Sequence, residues 1–129
     1  GNITQMAEIC RAVPPGFLVL SGDDAITLPL MAMGGRGVIS VASNEIPAEM
    51  AHLVEAAERG DFATAQALHT KLLPLMLGNF IESNPIPAKA ALHLMGMIEN
   101  QLRLPLMPLS ESNRQKIEKT LRELHLLQS

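Results

Sequence analysis

Residues 17–24 read Phe-Leu-Val-Leu-Ser-Gly-Asp-Asp, and residues 37–41 read Gly-Val-Ile-Ser-Val. Each stretch contains a short, continuous apolar run rather than an alternation of apolar and polar residues. Such runs are typical of strands buried on both faces, as in parallel sheets with helical crossovers. Each run is followed by a small polar loop and then by a helical pattern. The two stretches therefore predict two consecutive βα units.

The segments around these two predicted strands have helical periodicity. Before the first strand, apolar residues recur every three or four positions until Pro14-Pro15-Gly16 ends the helix. A helix is predicted over 25–33, ended by Gly34-Gly35, because glycine accepts the backbone conformation that terminates many helices. A third helix is predicted over 47–59. The first 60 residues thus have the order α-β-α-β-α.

From residue 61 onward the pattern is helical throughout. Helices are predicted over 61–79, over 88–98, and after Ser110, which we expect to cap the last helix. The proline-containing stretch 83–87 is predicted as an extended link. We therefore expect a domain boundary after residue 60.

Composition excludes two classes of function. The chain of 129 residues has net charge −3, no Trp, no Tyr and three Phe, so it has neither the basic surface nor the stacking side chains of a nucleic-acid-binding protein. No apolar stretch approaches the roughly 20 residues that span a bilayer, so we expect no membrane partner. The single cysteine, Cys10, cannot form an internal disulfide, which favours a reducing, cytoplasmic compartment.

Two parallel strands alone do not make a stable sheet, because parallel pairing needs neighbours on both sides. The alternation of strand, polar loop and amphipathic helix is typical of α/β barrels, which run to about 250 residues. The chain begins with Gly1 rather than Met, so we expect a portion of a longer polypeptide. The expected fold class is α/β. We expect residues 1–60 to be the last two βα units of a (β/α)8 TIM barrel, and residues 61–129 to be a C-terminal helical extension.

The loop Ser21-Gly22-Asp23-Asp24 follows a predicted strand, which is where α/β barrels place their chemistry. Gly22 would let a ligand approach the backbone, and the two carboxylates could hold an amine or a water. The same residues are also compatible with a turn glycine followed by a helix N-cap, so the loop alone leaves both interpretations open.

No self-contained catalytic group is evident elsewhere. The four histidines lie on different predicted helices without a metal-binding spacing, and Lys89 is best interpreted as a side chain that extends along apolar surface to solvent. We expect no metal and no cofactor.

Four motifs together resemble the dihydrodipicolinate synthase (4-hydroxy-tetrahydrodipicolinate synthase) family. They are Phe17-Leu-Val-Leu-Ser-Gly-Asp-Asp24, Gly34-Gly-Arg-Gly-Val-Ile-Ser-Val41, Asn84-Pro-Ile-Pro-Ala-Lys89 and Arg103-Leu-Pro-Leu-Met-Pro108. The resemblance covers essentially the whole chain and implies the C-terminal portion of such an enzyme. It implies a class I aldolase-type lyase that condenses pyruvate with aspartate-4-semialdehyde in diaminopimelate and lysine biosynthesis, usually as a homotetramer.

The resemblance also implies roles for particular residues. The backbone of Ile39 would help to position pyruvate, Gly22 would lie beside the lysine imine, and Asp23 would lie where the second substrate approaches. The helix that begins at Asn2 would belong to a tetramer contact. The imine lysine would lie immediately upstream of Gly1, and the chain contains no tyrosine to relay protons. We therefore expect this chain to be inactive without the N-terminal half of the barrel.

Two alternatives remain. An N-acetylneuraminate lyase-like aldolase would share the fold and the lysine chemistry, although its motif after this strand usually differs from Ser-Gly-Asp-Asp. A non-catalytic helical module would instead bury its open strand edges by self-association.

Overall fold

The computed structural model describes residues 1–127. It divides into two compact units, one comprising Gly1–Thr70 and one beginning at Lys71. The described residues form six α-helices: α1 (Ile3–Ala12), α2 (Thr27–Ala32), α3 (Pro47–Glu58), α4 (Phe62–Gly78), α5 (Ile86–Leu94) and α6 (Glu111–Glu123). The division between the units falls inside α4. The boundary predicted after residue 60 lies earlier, between α3 and α4, and stays a prediction.

The two predicted strands lie side by side in parallel. Ser21 and Val38 form a parallel β-bridge. Three backbone hydrogen bonds run along the pair: Arg36 N–H to Val19 O (2.9 Å), Ser21 N–H to Gly37 O (2.8 Å) and Ile39 N–H to Ser21 O (2.8 Å). The two bonds of Ser21, which lie on either side of Val38, have the parallel ladder pattern. We refer to these segments, 19–21 and 36–39, as the parallel pair.

The prediction that both strands are buried on both faces is wrong for the described structure. No regular strand extends beyond the single bridge within residues 1–127. Phe17, Leu18 and Ile39 are 61%, 64% and 70% exposed. The physical reason is that each segment of the pair has one neighbour here, and a two-stranded parallel pair covers little of its own side chains.

The helices of the first unit begin and end for local reasons. Asn2 Oδ1 accepts a hydrogen bond from Gln5 N–H (3.1 Å), which caps α1. Gly34 has φ +106°, and the N–H of Gly35 donates to Leu30 O (2.9 Å), so the glycines end α2 as predicted. The helix predicted over 25–33 is split, because a 3₁₀ turn at Asp24–Ile26 precedes α2. α3 has Pro47 in its first turn, a position where the missing N–H costs nothing.

The core of the first unit is formed by small and flexible side chains where its helices meet. Met31, Ala56, Ala57 and Ala65 are buried together, with Leu28 and Val54 packed against them. Alanines allow the helix backbones to approach closely, and methionine adapts to the remaining space. This core supports the parallel pair from one side.

In the second unit, two sequence predictions need correction. α5 begins at Ile86, so the stretch 83–87 is a turn and a helix start rather than an extended link, because Pro87 is accommodated in the first turn. Ser110 occupies the N-cap position of α6, but its side chain makes no capping hydrogen bond. Its hydroxyl donates instead to Glu82 Oε1 (2.6 Å). α6 buries Ile117 and Leu121 as its periodicity predicts.

Among the residues that the structure describes, no helix combines the length and the apolar character needed to cross a membrane.

Candidate functional site

The loop that follows the first segment of the parallel pair is held by its own hydrogen bonds. The N–H of Asp23 donates to Ser21 Oγ (3.1 Å), and the Ser21 hydroxyl donates to Asp23 O (2.7 Å). The hydroxyl of Thr27, which is fully buried, also donates to Asp23 O (3.1 Å). These bonds fix the backbone on both sides of Gly22, so the loop is preorganised rather than loose.

The two carboxylates of this loop have different partners. Asp23 Oδ1 accepts from Ala25 N–H (2.9 Å) and so caps the 3₁₀ turn. Asp24 is 1% exposed, and its Oδ2 accepts from the backbone N–H groups of Val41 (3.0 Å) and Ala42 (3.1 Å). Asp24 therefore connects the loops that follow the two segments of the parallel pair. Its Oδ1 has no hydrogen-bond partner within residues 1–127.

Gly22 is exposed, and the described structure does not itself require a glycine there. A Cβ added to Gly22 would have no heavy atom of the described residues within 4 Å, and its φ lies outside the left-handed range that favours glycine. Gly35 gives the contrast, because a Cβ there would lie 2.6 Å from Leu30 Cγ and 3.0 Å from Leu30 O. The space above Gly22 is therefore open to a ligand.

Ile39 follows the β-bridge on the neighbouring segment. Its N–H is used in the 2.8 Å bond to Ser21 O, so its carbonyl oxygen is the backbone group with which it could contact a ligand. A carbonyl oxygen accepts hydrogen bonds, so its ligand partner must be a donor. Gly22 and Ile39 are the residues directly after the two bridged ones, Ser21 and Val38. The pairing therefore places them at the same end of the parallel pair.

Of the three residues singled out from the sequence, Gly22, Asp23 and Ile39 all lie at this end of the parallel pair. Asp24 was recognised in the sequence only as a candidate cap or carboxylate ligand. What reveals its connecting role is burial, which a sequence of two adjacent aspartates does not show. The sequence position of Asp24 did offer a clue to this role, because an acidic residue between a predicted strand and an apolar helix must either bind buried donors or remain in solvent.

The other candidates from the sequence take no part in the hydrogen bonds of this loop. His52, His93 and His125 are exposed, and His69 is partly buried, which lowers its pKa below the ordinary value of 6.5 by desolvation. The described residues contain no cluster of three or more His, Cys, Asp and Glu side chains placed to hold a metal ion. Lys89 is half-buried and donates a hydrogen bond to Gln101 O.

Comparison with known proteins accounts for this arrangement. The model of the dihydrodipicolinate synthetase family matches residues 1–124. The chain belongs to this family. A curated relative from Koribacter versatilis, a 4-hydroxy-tetrahydrodipicolinate synthase, is 50% identical over 129 residues. The match covers 100% of this chain but 43% of that relative, so the chain spans less than half the length of the curated relatives it matches.

Solved structures of the family have the same backbone over this region. The dihydrodipicolinate synthase of Aquifex aeolicus superposes with a TM-score of 0.95 at 44% identity, covering 99% of this chain and 44% of that one. The chloride-inhibited enzyme of Acinetobacter baumannii, solved in complex with pyruvate, has a TM-score of 0.93 at 36% identity and covers 98% and 43%. The parallel pair and helices described above are thus part of the dihydrodipicolinate synthetase fold.

Proposed function

We propose that this chain is the C-terminal part of a pyruvate-dependent lyase that condenses pyruvate with aspartate-4-semialdehyde. The observation that carries the proposal is the placement of Gly22 and Ile39 at one end of the parallel pair in a chain of this family. Residues 1–60 would supply the last two βα units of the TIM barrel, and residues 61–129 the C-terminal helical domain. The N-terminal half of the same barrel would supply the other units.

The contribution of this chain to the reaction is positioning. The amine of a lysine outside this chain would add to the ketone carbon of pyruvate, and loss of water would give the protonated imine. Gly22 would leave room for that imine, since a Cβ there projects into open space. The Ile39 carbonyl would accept a hydrogen bond from a donor group of the intermediate. Holding the reactant in this geometry is worth several kcal/mol of the barrier, on the order of 7 or more in favourable cases.

Asp23 would act on the second substrate. Its side chain is half-buried beside Gly22 and caps the 3₁₀ turn through Oδ1. A carboxylate in this place favours the approach of a cationic amino group, which aspartate-4-semialdehyde carries. The charge of Asp23 therefore supports selection of an amino-acid aldehyde over a neutral one.

The assembled enzyme would be a cytoplasmic homotetramer without a cofactor. Support for association comes from α1, where Ile3 and Ile9 are 56% and 44% exposed on the helix that the family resemblance assigns to a subunit contact. Support for the reducing compartment is the single cysteine, Cys10. We further propose that residues 1–129 alone are inactive, because the imine lysine would lie outside this chain and the chain contains no tyrosine.

The test is reductive trapping of the imine in the complete protein that contains this chain. Pyruvate with borohydride should add one reduced pyruvate per polypeptide by intact mass, on a lysine outside residues 1–129, whereas residues 1–129 expressed alone should give none. Aspartate-4-semialdehyde should then be consumed by the untrapped enzyme. Absence of the adduct contradicts the proposal. An adduct with pyruvate but turnover of N-acetylneuraminate instead would favour the sister aldolase.

A further inference from the structure

The feature that carries a further inference is the buried carboxylate of Asp24. It accepts hydrogen bonds from the N–H groups of Val41 (3.0 Å) and Ala42 (3.1 Å), which lie 17 and 18 positions along the chain. These are contacts between two loops, whereas the hydrogen bonds around Asp23 stay within one loop. Asp24 is therefore the side chain through which the first loop holds the second.

The segment that Asp24 holds begins at the residue proposed to contact the imine intermediate. Ile39 is fixed on one side by its N–H bond to Ser21 O, and Val41, two residues later, is fixed by Asp24. Between them, Ser40 Oγ accepts from Ser43 N–H (2.8 Å), which closes the following turn. The carbonyl of Ile39 lies between these two attachments, so its direction depends on both of them.

Burial makes this attachment strong and its loss costly. Asp24 is 1% exposed, and a buried carboxylate is stable only when hydrogen-bond donors surround it. Hydrogen bonds from backbone N–H groups to an ionised carboxylate are roughly twice as strong as neutral ones. Without Asp24, the N–H groups of Val41 and Ala42 would lose their acceptor, and the second loop would move to find water.

We propose that Asp24 is a positioning residue that sets the Ile39 backbone for pyruvate binding through the N–H groups of Val41 and Ala42. The inference rests on the proposed function and deepens it, because it assigns the geometry of the pyruvate subsite to a side chain that does not touch pyruvate. A displacement of about 1 Å at a reacting group costs on the order of 100-fold in rate, so a small shift of this loop is measurable.

The experiment compares Asp24→Ala, Asp24→Asn and Asp61→Ala in the complete enzyme. Asparagine keeps one acceptor oxygen for Val41 and Ala42 and places its amide where Asp24 Oδ1 has no partner among the described residues. Asp61→Ala is the matched control, because it removes a carboxylate that accepts a hydrogen bond from the N–H of Thr64 (3.1 Å) at the start of α4, outside the loop. The readouts are the pyruvate concentration that half-saturates borohydride trapping, kcat with both substrates, and the thermal midpoint.

Asp24→Ala should raise the half-saturating pyruvate concentration by about tenfold or more, and Asp24→Asn should stay within about threefold of the unmodified enzyme. Asp61→Ala should lower the thermal midpoint, because α4 loses a capping acceptor, while leaving pyruvate half-saturation unchanged. If Asp24→Ala does not fold, Asp24→Ser replaces it, since its hydroxyl is too short to reach both N–H groups.

Three results would overturn the inference while the proposed function stands: unchanged half-saturation in Asp24→Ala, an Asp24→Asn variant as impaired as Asp24→Ala, or an equal shift in Asp61→Ala. Failure of the unmodified enzyme to form any adduct would overturn the proposed function, and the inference with it.

Discussion

Two carboxylates organise the two units of this chain by the same chemistry. In the first unit, Asp24 Oδ2 accepts from the N–H groups of Val41 and Ala42. In the second, Glu82 Oε1 accepts from the N–H of Ser110 (3.1 Å), the Ser110 hydroxyl (2.6 Å) and Asn113 Nδ2 (2.8 Å). Both acids attach a distant segment, Asp24 through two backbone N–H groups and Glu82 through one backbone N–H and two side chains at the start of α6.

Their surroundings differ. Asp24 is almost fully buried, yet the apolar side chain of Ile39 nearby is 70% exposed. Glu82 is only half-buried, while α6 buries Ile117 and Leu121. Apolar packing therefore contributes much of the stability of α6, and the hydrogen bonds to the Glu82 carboxylate add to it. At the parallel pair, hydrogen bonds contribute more to holding the second loop, because less apolar packing within this chain holds it.

The largest effect that would test this contrast is expected at Gly22. In the complete enzyme, Gly22→Val should reduce imine trapping by at least about 100-fold, because the side chain would occupy the space proposed for the imine. The fold should remain intact, since no described heavy atom lies within 4 Å of a Cβ there. Intact mass after borohydride and circular dichroism provide the two measurements. Ala63→Val, at an exposed position of α4, is the control. Normal trapping in Gly22→Val would show that Gly22 is not part of the site.

The second prediction compares the two carboxylates directly by stability. Asp24→Ala should lower the free energy of unfolding by about 2–3 kcal/mol, because it strands the N–H of buried Ala42 and that of Val41. Glu82→Ala should cost less, because its partners at the start of α6 can reach solvent. Urea titration of the complete protein measures both. Equal losses would show that burial does not distinguish the two sites.

A third prediction uses glycines to separate folding from function within the first unit. Gly35→Ala should destabilise the protein by about 1–3 kcal/mol, because the new Cβ would lie 3.0 Å from the backbone oxygen of Leu30 and force a shift at the end of α2. Gly22→Ala should change stability by no more than about 0.5 kcal/mol. The same urea titration measures the free energy of unfolding of both variants. A destabilised Gly22→Ala would mean that Gly22 is needed for folding.

Whether a feature of this structure was predictable from the sequence depends on how far apart along the chain its interacting residues lie. The helices were largely predictable, because α1, α3 and α4 have regular apolar spacing. Local signals at Pro14, Gly34 and Gly60 follow the ends of α1, α2 and α3. The parallel register of Ser21 and Val38 was not, since the apolar runs specify strands but not which residues face each other.

The residues of the two loops and Glu82 also divide into those that a local motif indicates and those that only a distant contact reveals. Gly22, Asp23 and Ile39 were singled out through motifs that resemble those of the family, and their roles stay predictions. Asp24 and Glu82 were missed as connectors, because each has partners at least 17 positions away and no local pattern reports such a contact. Ser110 illustrates the same limit, since its position predicted a cap but the distant Glu82 takes its hydroxyl.

The smallest effect concerns pH and tests whether Ser110 acts through Glu82. Hydrogen bonds from the Ser110 hydroxyl, Asn113 and the Ser110 N–H lower the pKa of Glu82 below its ordinary value of 4.5. A carboxyl whose pKa is lower in the folded state stabilises the fold above pH 4.5, and this contribution is lost as the pH falls through the folded-state pKa. Glu82→Gln should therefore make the free energy of unfolding fall less steeply below pH 4.5, and Ser110→Ala should have part of the same effect.

A double variant tests whether the two residues act through one hydrogen bond. Because both changes remove the same bond, the double variant should lose less stability than the sum of the two single losses. Additive losses, measured by urea titration at pH 3.5 and about pH 7, would contradict the shared hydrogen bond and leave Ser110 as an ordinary helix start.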